Sequence, residues 1–192
     1  MNTPSQIEPL TRAHSAVEPV VRGIHPDQWD RPTPCTEWNV RDILGHLTGL
    51  NLVFVALLAG QAPPPRGQDP LGDDPIGAYL ASAAALEAAF GQPGALERVF
   101  TGPLGDATAA ERLKIRIYDL LAHGWDLAQA TGQHFEVPDD VAVPALQFAR
   151  TQLGDGPRAQ RFQEPQPVAD DAPAIDRLVA FLGRPLDTAT RP

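Results

Sequence analysis

The sequence predicts an all-α fold, with a core of four main helices and shorter helices appended. Three observations carry this expectation. Apolar residues recur at helical spacing in a series of stretches. Those stretches open on capping residues or proline and close on glycine. Strict apolar–polar alternation is weak everywhere, and β-branched residues are scattered.

The first stretch covers about residues 5–22, with Leu10, Val17, Val20 and Val21 as its apolar members and Pro9 and Pro19 weakening its two ends. The proline-rich linker that follows reads as ordered coil pinned by Trp29 and Trp38. The second helix is the clearest. Asn39 caps it, Asp42 sits three residues on as a capping-box partner, and Ile43, Leu47, Leu50, Phe54, Leu57 and Leu58 recur at helical spacing before Gly60. A loop of some 15 residues leads to the third helix, 76–90, which opens on Asp74-Pro75 and stops at Gly91. A short extended piece is expected at 98–101. The fourth helix runs from about 108 to 130, with Thr108 and Glu111 at capping-box spacing and Gly132 beyond its end. The fifth follows Pro138 and ends at Gly154, with Pro144 bending or delaying it. A last short helix covers 173–182.

Composition narrows the function classes. A chain of 192 residues that is 43% hydrophobic can bury a core of its own. It reads as one domain, 1–192, with 155–192 a C-terminal extension on the bundle. Fifteen basic against 24 acidic residues give a net charge of -9. That balance disfavours nucleic acid and anionic membranes. The N-terminus lacks the basic and apolar regions of a signal peptide, and the longest apolar run, 50–59, is short for a bilayer. The single cysteine, Cys35, has no internal partner and fits a reducing cytoplasm. The expectation is a cytoplasmic monomer or homodimer acting on a small molecule.

Chemistry is concentrated in the second and fourth helices. Of the five histidines, His14, His25, His46, His123 and His134, two are notably placed. His46 lies in the stripe Ile43, His46, Leu50, Val53, Leu57, so it sits on or beside the inward face. It reads either as a buried, hydrogen-bonded imidazole or as a ligand aimed into the bundle. On the fourth helix Arg116, Asp119, His123 and Asp126 share one side, apart from an apolar face of Leu113, Ile117, Leu120, Leu121 and Leu127. That side reads either as a solvated polar edge or as a metal site. Asp119 and His123 are one turn apart, so a carboxylate and an imidazole can grip one cation. Asp126 is placed to orient His123. A carboxylate with two imidazoles suits zinc, nickel, cobalt or iron, and three protein ligands leave a position for water or substrate. Arg116 suits an anionic group or, more ordinarily, solvent. Cys35 reads as a small buried hydrophobe in a turn, or as a thiol whose pKa is lowered near a helix N-terminus. There is no G-x-S-x-G, no G-x-G-x-x-G and no P-loop.

Three segments carry a resemblance. RPTPCTEWNVRDILGHLTG, DLLAHGWDLAQATGQ and VADDAPAIDRLVAFLGRPL are similar to signatures of the DinB-like metal-binding superfamily. The branch they resemble is actinobacterial and related to the N-terminal domain of mycothiol-dependent maleylpyruvate isomerase. The resemblance covers roughly 7–185. It implies a four-helix bundle with a long crossover. It also implies a divalent metal held by His46, Asp119 and His123, the same three residues that the helix arithmetic reaches. Where the isomerase and its nearest relatives have glutamate, this chain has Asp119. The metal implied is zinc or nickel before others, with mycothiol as a second cofactor. The function implied is a metal-dependent, mycothiol-using transferase or isomerase acting on a small electrophile. The alternative is a non-catalytic metal- or ligand-binding module with a structural metal site.

Overall fold

In the computed structural model, which describes residues 6–101, 106–154 and 162–186, the chain is all-α and DinB-like. Its helices are α1 (Glu8–Arg22), α2 (Val40–Leu58), α3 (Pro75–Phe90), α4 (Ala109–Thr131), α5 (Asp139–Leu153) and α6 (Ala174–Phe181). The two strands among the described residues, β1 (Val99–Phe100) and β2 (Ala107–Thr108), are antiparallel partners of two residues each. β1 falls within the extended piece expected at 98–101.

The caps act as their residue types dictate. The Asn39 side chain accepts from Asp42 N–H while Asp42 accepts from Asn39 N–H, and Thr108 and Glu111 repeat this reciprocal bond at the start of α4. Asp74 accepts from Gly77 N–H ahead of Pro75. α1 begins at Glu8, later than expected. Pro9 falls in its first turn, where a missing N–H removes no helical bond, and Pro19 lies inside the helix, which continues through it to Arg22. Pro144 lies inside α5 and does not delay its start at Asp139.

Helices α1 to α4 form a ring in the order α1, α4, α2, α3 and back to α1. α1 and α2 therefore occupy one diagonal, and the connection 23–39 crosses the bundle. That connection is ordered, as its prolines and tryptophans suggest. It contains a 3₁₀ turn at Pro26–Gln28 and an isolated bridge between Pro32 and Asn39, and the Thr33 hydroxyl donates to the Trp38 carbonyl at 2.7 Å.

α4 is the central element, touching α1, α2, α5 and α6. This corrects the reading of α4 as a helix with a solvated polar edge. Fifteen of its 23 residues are buried, including Arg116, His123 and Asp126. The polar side is covered by α2, whose His46, Leu47 and Asn51 meet Asp119 and Arg116, and by Arg184 beyond α6, which meets Asp126. Gly124 lets α1 approach, since a Cβ there would lie 2.6 Å from Val17 Cγ2 and 2.8 Å from Phe135 Cζ.

By length and mean hydropathy α2 is apolar enough to cross a membrane, a property that reading the longest apolar run as 50–59 understates. In the structure it is a wall of the bundle, packed against α3 and α4. It places Asn51, fully buried, against a serine of α3 and an arginine of α4.

Candidate metal centre

His46 enters from the second turn of α2, and Asp119 and His123 enter from consecutive turns of α4. His46 Nε2 is 3.3 Å from Asp119 Oδ1, and His123 Nε2 is 3.5 Å from the same oxygen. One ligand atom from each of the three residues lies within 4.8 Å of the others. The imidazole planes are steeply inclined, at 71°, with centroids 5.0 Å apart. Trp38, at the end of the 23–39 connection, lies against both rings, with centroids 4.6 Å from His46 and 5.4 Å from His123.

Each of the two α4 ligand candidates is held from behind. His123 Nδ1 lies 3.0 Å from Asp126 Oδ2. An ionised carboxylate only accepts, so Nδ1–H donates to Asp126 and Nε2 is the nitrogen turned toward His46 and Asp119. Asp126 is fully buried and also accepts two bonds from Arg184, from Nη2 at 2.9 Å and from Nε at 3.2 Å. Asp119 turns its second oxygen to Arg116 Nη1.

Arg116 is neither solvated nor free to receive an anion. It is 1% exposed. Its Nη2 donates to the Leu47 carbonyl at 3.0 Å, and Nη2 and Nε both donate to Asn51 Oδ1. Asn51 in turn donates to the Ser82 hydroxyl, which donates to the Tyr79 carbonyl. Arg116 is thus a strut between α2, α4 and, through Asn51, α3.

Electrostatics follow from this wiring. Burial works to raise the Asp119 carboxyl pKa. The His46 hydrogen bond, the two imidazoles and Arg116 outweigh it and hold the group well below the ordinary carboxylate range. Asp126 shows the same contest, with burial opposed by His123 and Arg184, and it too is lowered.

Of the two readings of Cys35, the structure fits the part-buried residue and not the thiol lowered by a helix dipole. Burial pushes its pKa up, and nearby Arg184 offsets this only in part. Its sulfur lies within 4.8 Å of a ring nitrogen of His123 and a carboxylate oxygen of Asp126.

The cluster borders a cleft of about 1030 Å³, whose walls include Trp38, Phe54, Tyr118 and Phe162. The side chains of His46, Asp119 and His123 are 25%, 19% and 8% exposed. Two contributors were not singled out from sequence as site residues. Trp38 was read only as an anchor for the linker. Arg184 sits in VADDAPAIDRLVAFLGRPL, directly after the glycine that follows the last helix, and that position is its only signal in the sequence.

The profile of the mycothiol maleylpyruvate isomerase N-terminal domain matches residues 10–128. This chain belongs to that family. The matched region contains His46, Asp119, His123 and Asp126 but stops before Arg184. Two uncharacterized proteins of Mycobacterium tuberculosis resemble this family member over most of its length. They are Rv0738 (strain ATCC 25618 / H37Rv) and MT0763 (strain CDC 1551 / Oshkosh). Each is 35% identical over 176 residues, covering 90% of this chain and 94% of its own. The fold is also that of mycothiol-dependent maleylpyruvate isomerase. Its crystal structure aligns with a TM-score of 0.60 at 16% identity, and that of a histidine-to-alanine mutant with 0.61 at 14%. Both alignments cover 80% of this chain and 72% of the isomerase.

Proposed function

We propose that this chain binds a divalent cation through His46 Nε2, Asp119 Oδ1 and His123 Nε2, and acts as a metal-dependent, mycothiol-using transferase or isomerase on a small electrophile. The observation that carries the reading is the convergence of these three atoms at the wall of a cleft. The donor set fits such a cation. Two imidazoles and one carboxylate suit zinc or nickel, and three protein ligands leave a position for substrate. The Asp126 bond to His123 Nδ1 is the usual support of a ligating histidine. A cation held there supplies Lewis-acid polarisation of a substrate oxygen or of a thiol.

The chain's own residues contribute position and enclosure. Asp126 fixes the His123 tautomer, and Arg116 fixes one oxygen of Asp119 so that the other is directed at the imidazoles. Trp38 forms an apolar wall beside both rings. A cleft of about 1030 Å³ accommodates a low-molecular-weight thiol together with a small co-substrate. Membership of the mycothiol maleylpyruvate isomerase N-terminal family supports mycothiol as that thiol. A reducing cytoplasm suits both a reduced thiol cofactor and an unpaired Cys35.

The test is metal analysis of the purified protein, followed by thiol consumption with mycothiol and a panel of electrophiles, with and without chelator. The expected result is one bound cation per chain and thiol consumption that chelator abolishes and metal restores. Failure to bind zinc or nickel in excess overturns the reading. Stoichiometric metal without turnover leaves the binding module.

A further inference from the structure

The family profile ends at residue 128, yet the wiring of the cluster continues into α6. We infer that the C-terminal cap of α6 is a working part of the metal centre, with Arg184 as a positioning residue that acts through Asp126 on His123. The inference rests on the metal reading above and deepens it.

The cap of α6 sets the course of the chain into Arg184. At the end of α6, Gly183 N–H donates to the Ala180 carbonyl and Arg184 N–H to the Val179 carbonyl at 2.9 Å. This reversal needs a left-handed residue, and Gly183 has φ +93°. The glycine is required sterically as well, because a Cβ there would sit 2.6 Å from Gln163 Cβ and 2.9 Å from Gln163 backbone atoms. The cap therefore fixes the direction in which the next side chain leaves. Arg184 goes inward, is 7% exposed, and braces its Nη1 on the Leu182 carbonyl at 3.1 Å. Its remaining edge, Nε and Nη2, meets both oxygens of Asp126 across 58 residues of sequence.

A paired guanidinium edge fixes a carboxylate in orientation as well as in charge. With both Asp126 oxygens engaged by Arg184, Oδ2 is fixed where His123 Nδ1 meets it. His123 Nε2 is then directed at His46 and Asp119. Lysine, a point charge on a flexible stem, cannot impose this orientation.

The experiment compares wild type, Arg184→Gln, Arg184→Lys and, as a control that removes an α5 arginine lying over Phe181 of α6 without touching Asp126, Arg150→Gln. Two readouts are taken on folded protein. One is cobalt(II) affinity and visible absorption, by competition with a chromophoric chelator. The other is the His123 ring tautomer in metal-free protein, by ¹⁵N NMR. Wild type and Arg150→Gln should bind alike and show the Nδ1–H tautomer. Arg184→Gln should lose about 10–100-fold in affinity, shift the cobalt spectrum and mix the tautomers. Arg184→Lys should restore only part of each. Wild-type affinity and tautomer in Arg184→Gln overturn the inference. If that variant does not fold, the same outcome in Arg184→Lys does so. Failure of wild type to bind cobalt is a failure of the metal reading instead. The tautomer comparison still decides the role of Arg184 in that case.

Discussion

Among the described residues, two parts of the bundle set histidine against a carboxylate, a glutamate in one and an aspartate in the other. On the α1–α3 side, His14 Nδ1 lies 2.7 Å from Glu87 Oε1, and the Thr11 hydroxyl donates to Glu87 Oε2 at 2.9 Å. On the α2–α4 side lie His46, Asp119 and His123. Both contain a histidine less than a tenth exposed, His14 in one and His123 in the other. The difference is where the second ring nitrogen goes. His14 Nε2 ends in the core with no hydrogen-bond partner among the described residues, its ring edge-on to Tyr79, whose hydroxyl is likewise unpartnered. His123 Nε2 faces a second imidazole and a carboxylate at a cleft wall. A histidine–acid pair is common. What distinguishes a site is lone pairs converging where a ligand can reach them.

The sharpest way to break this comparison is to delete one histidine from each cluster. His46→Ala and His123→Ala should each abolish zinc and nickel binding measured by calorimetry, because each removes one of three donors. His14→Ala should leave the affinity within about twofold, since it lies in a separate cluster. Loss of metal in His14→Ala, or retention in both of the others, would put the site elsewhere.

Behind the donors the effect is smaller. Asp126→Asn keeps the shape but loses the charge and can present a donor to His123 Nδ1. Metal affinity should fall about 10–100-fold, measured by chelator competition. An unchanged value would mean that His123 is oriented by packing against Trp38 alone.

The contrast also separates what sequence can carry from what it cannot. The spacing of Asp119 and His123 is local, and helical geometry alone puts them on one side of α4. The depth of His46 follows from its neighbours Ile43 and Leu47, which are fully buried. The burial of Arg116 and Asp126 is not local. It depends on α2, whose Leu47 and Asn51 meet Arg116, and on the end of α6, whose Arg184 meets Asp126, and together they turn the expected polar edge into an interior network. Arg184 reaches Asp126 across 58 residues, a pairing that no periodicity encodes. The β1–β2 pair, at two residues a strand, is too short to show alternation, and only its first half was expected.

The α1–α3 cluster should register in stability rather than in metal binding. The His14 hydrogen bond is the main cause that holds Glu87 below its ordinary value of 4.5, with burial opposing and Thr11 assisting. A carboxyl depressed in the folded state contributes stability that is present above its unfolded pKa and lost as pH falls through the folded one. Glu87→Gln should therefore lower stability by about 0.5–1.5 kcal/mol at neutral pH. Its deficit against wild type should shrink in acid, followed by urea denaturation at a series of pH values. A deficit independent of pH would show that shape, and not charge, holds Glu87 to His14.

The smallest effect is expected at Cys35, the residue that most resembles a further ligand. Its sulfur lies within 4.8 Å of His123 and Asp126, which by distance alone makes a second candidate cation group. The chemistry of that group argues otherwise. Both oxygens of Asp126 are engaged, one by Arg184 Nε and the other by Arg184 Nη2 and His123 Nδ1. The His123 nitrogen that meets Asp126, Nδ1, carries a proton and has no lone pair to offer. Burial also favours the neutral thiol over the thiolate that a metal needs. Cys35→Ser should thus bind zinc with wild-type affinity and give an unchanged cobalt(II) spectrum. A loss of sulfur-to-cobalt charge-transfer absorption in Cys35→Ser would show that the cation moves toward Cys35, and that the two sides of His123 compete for it.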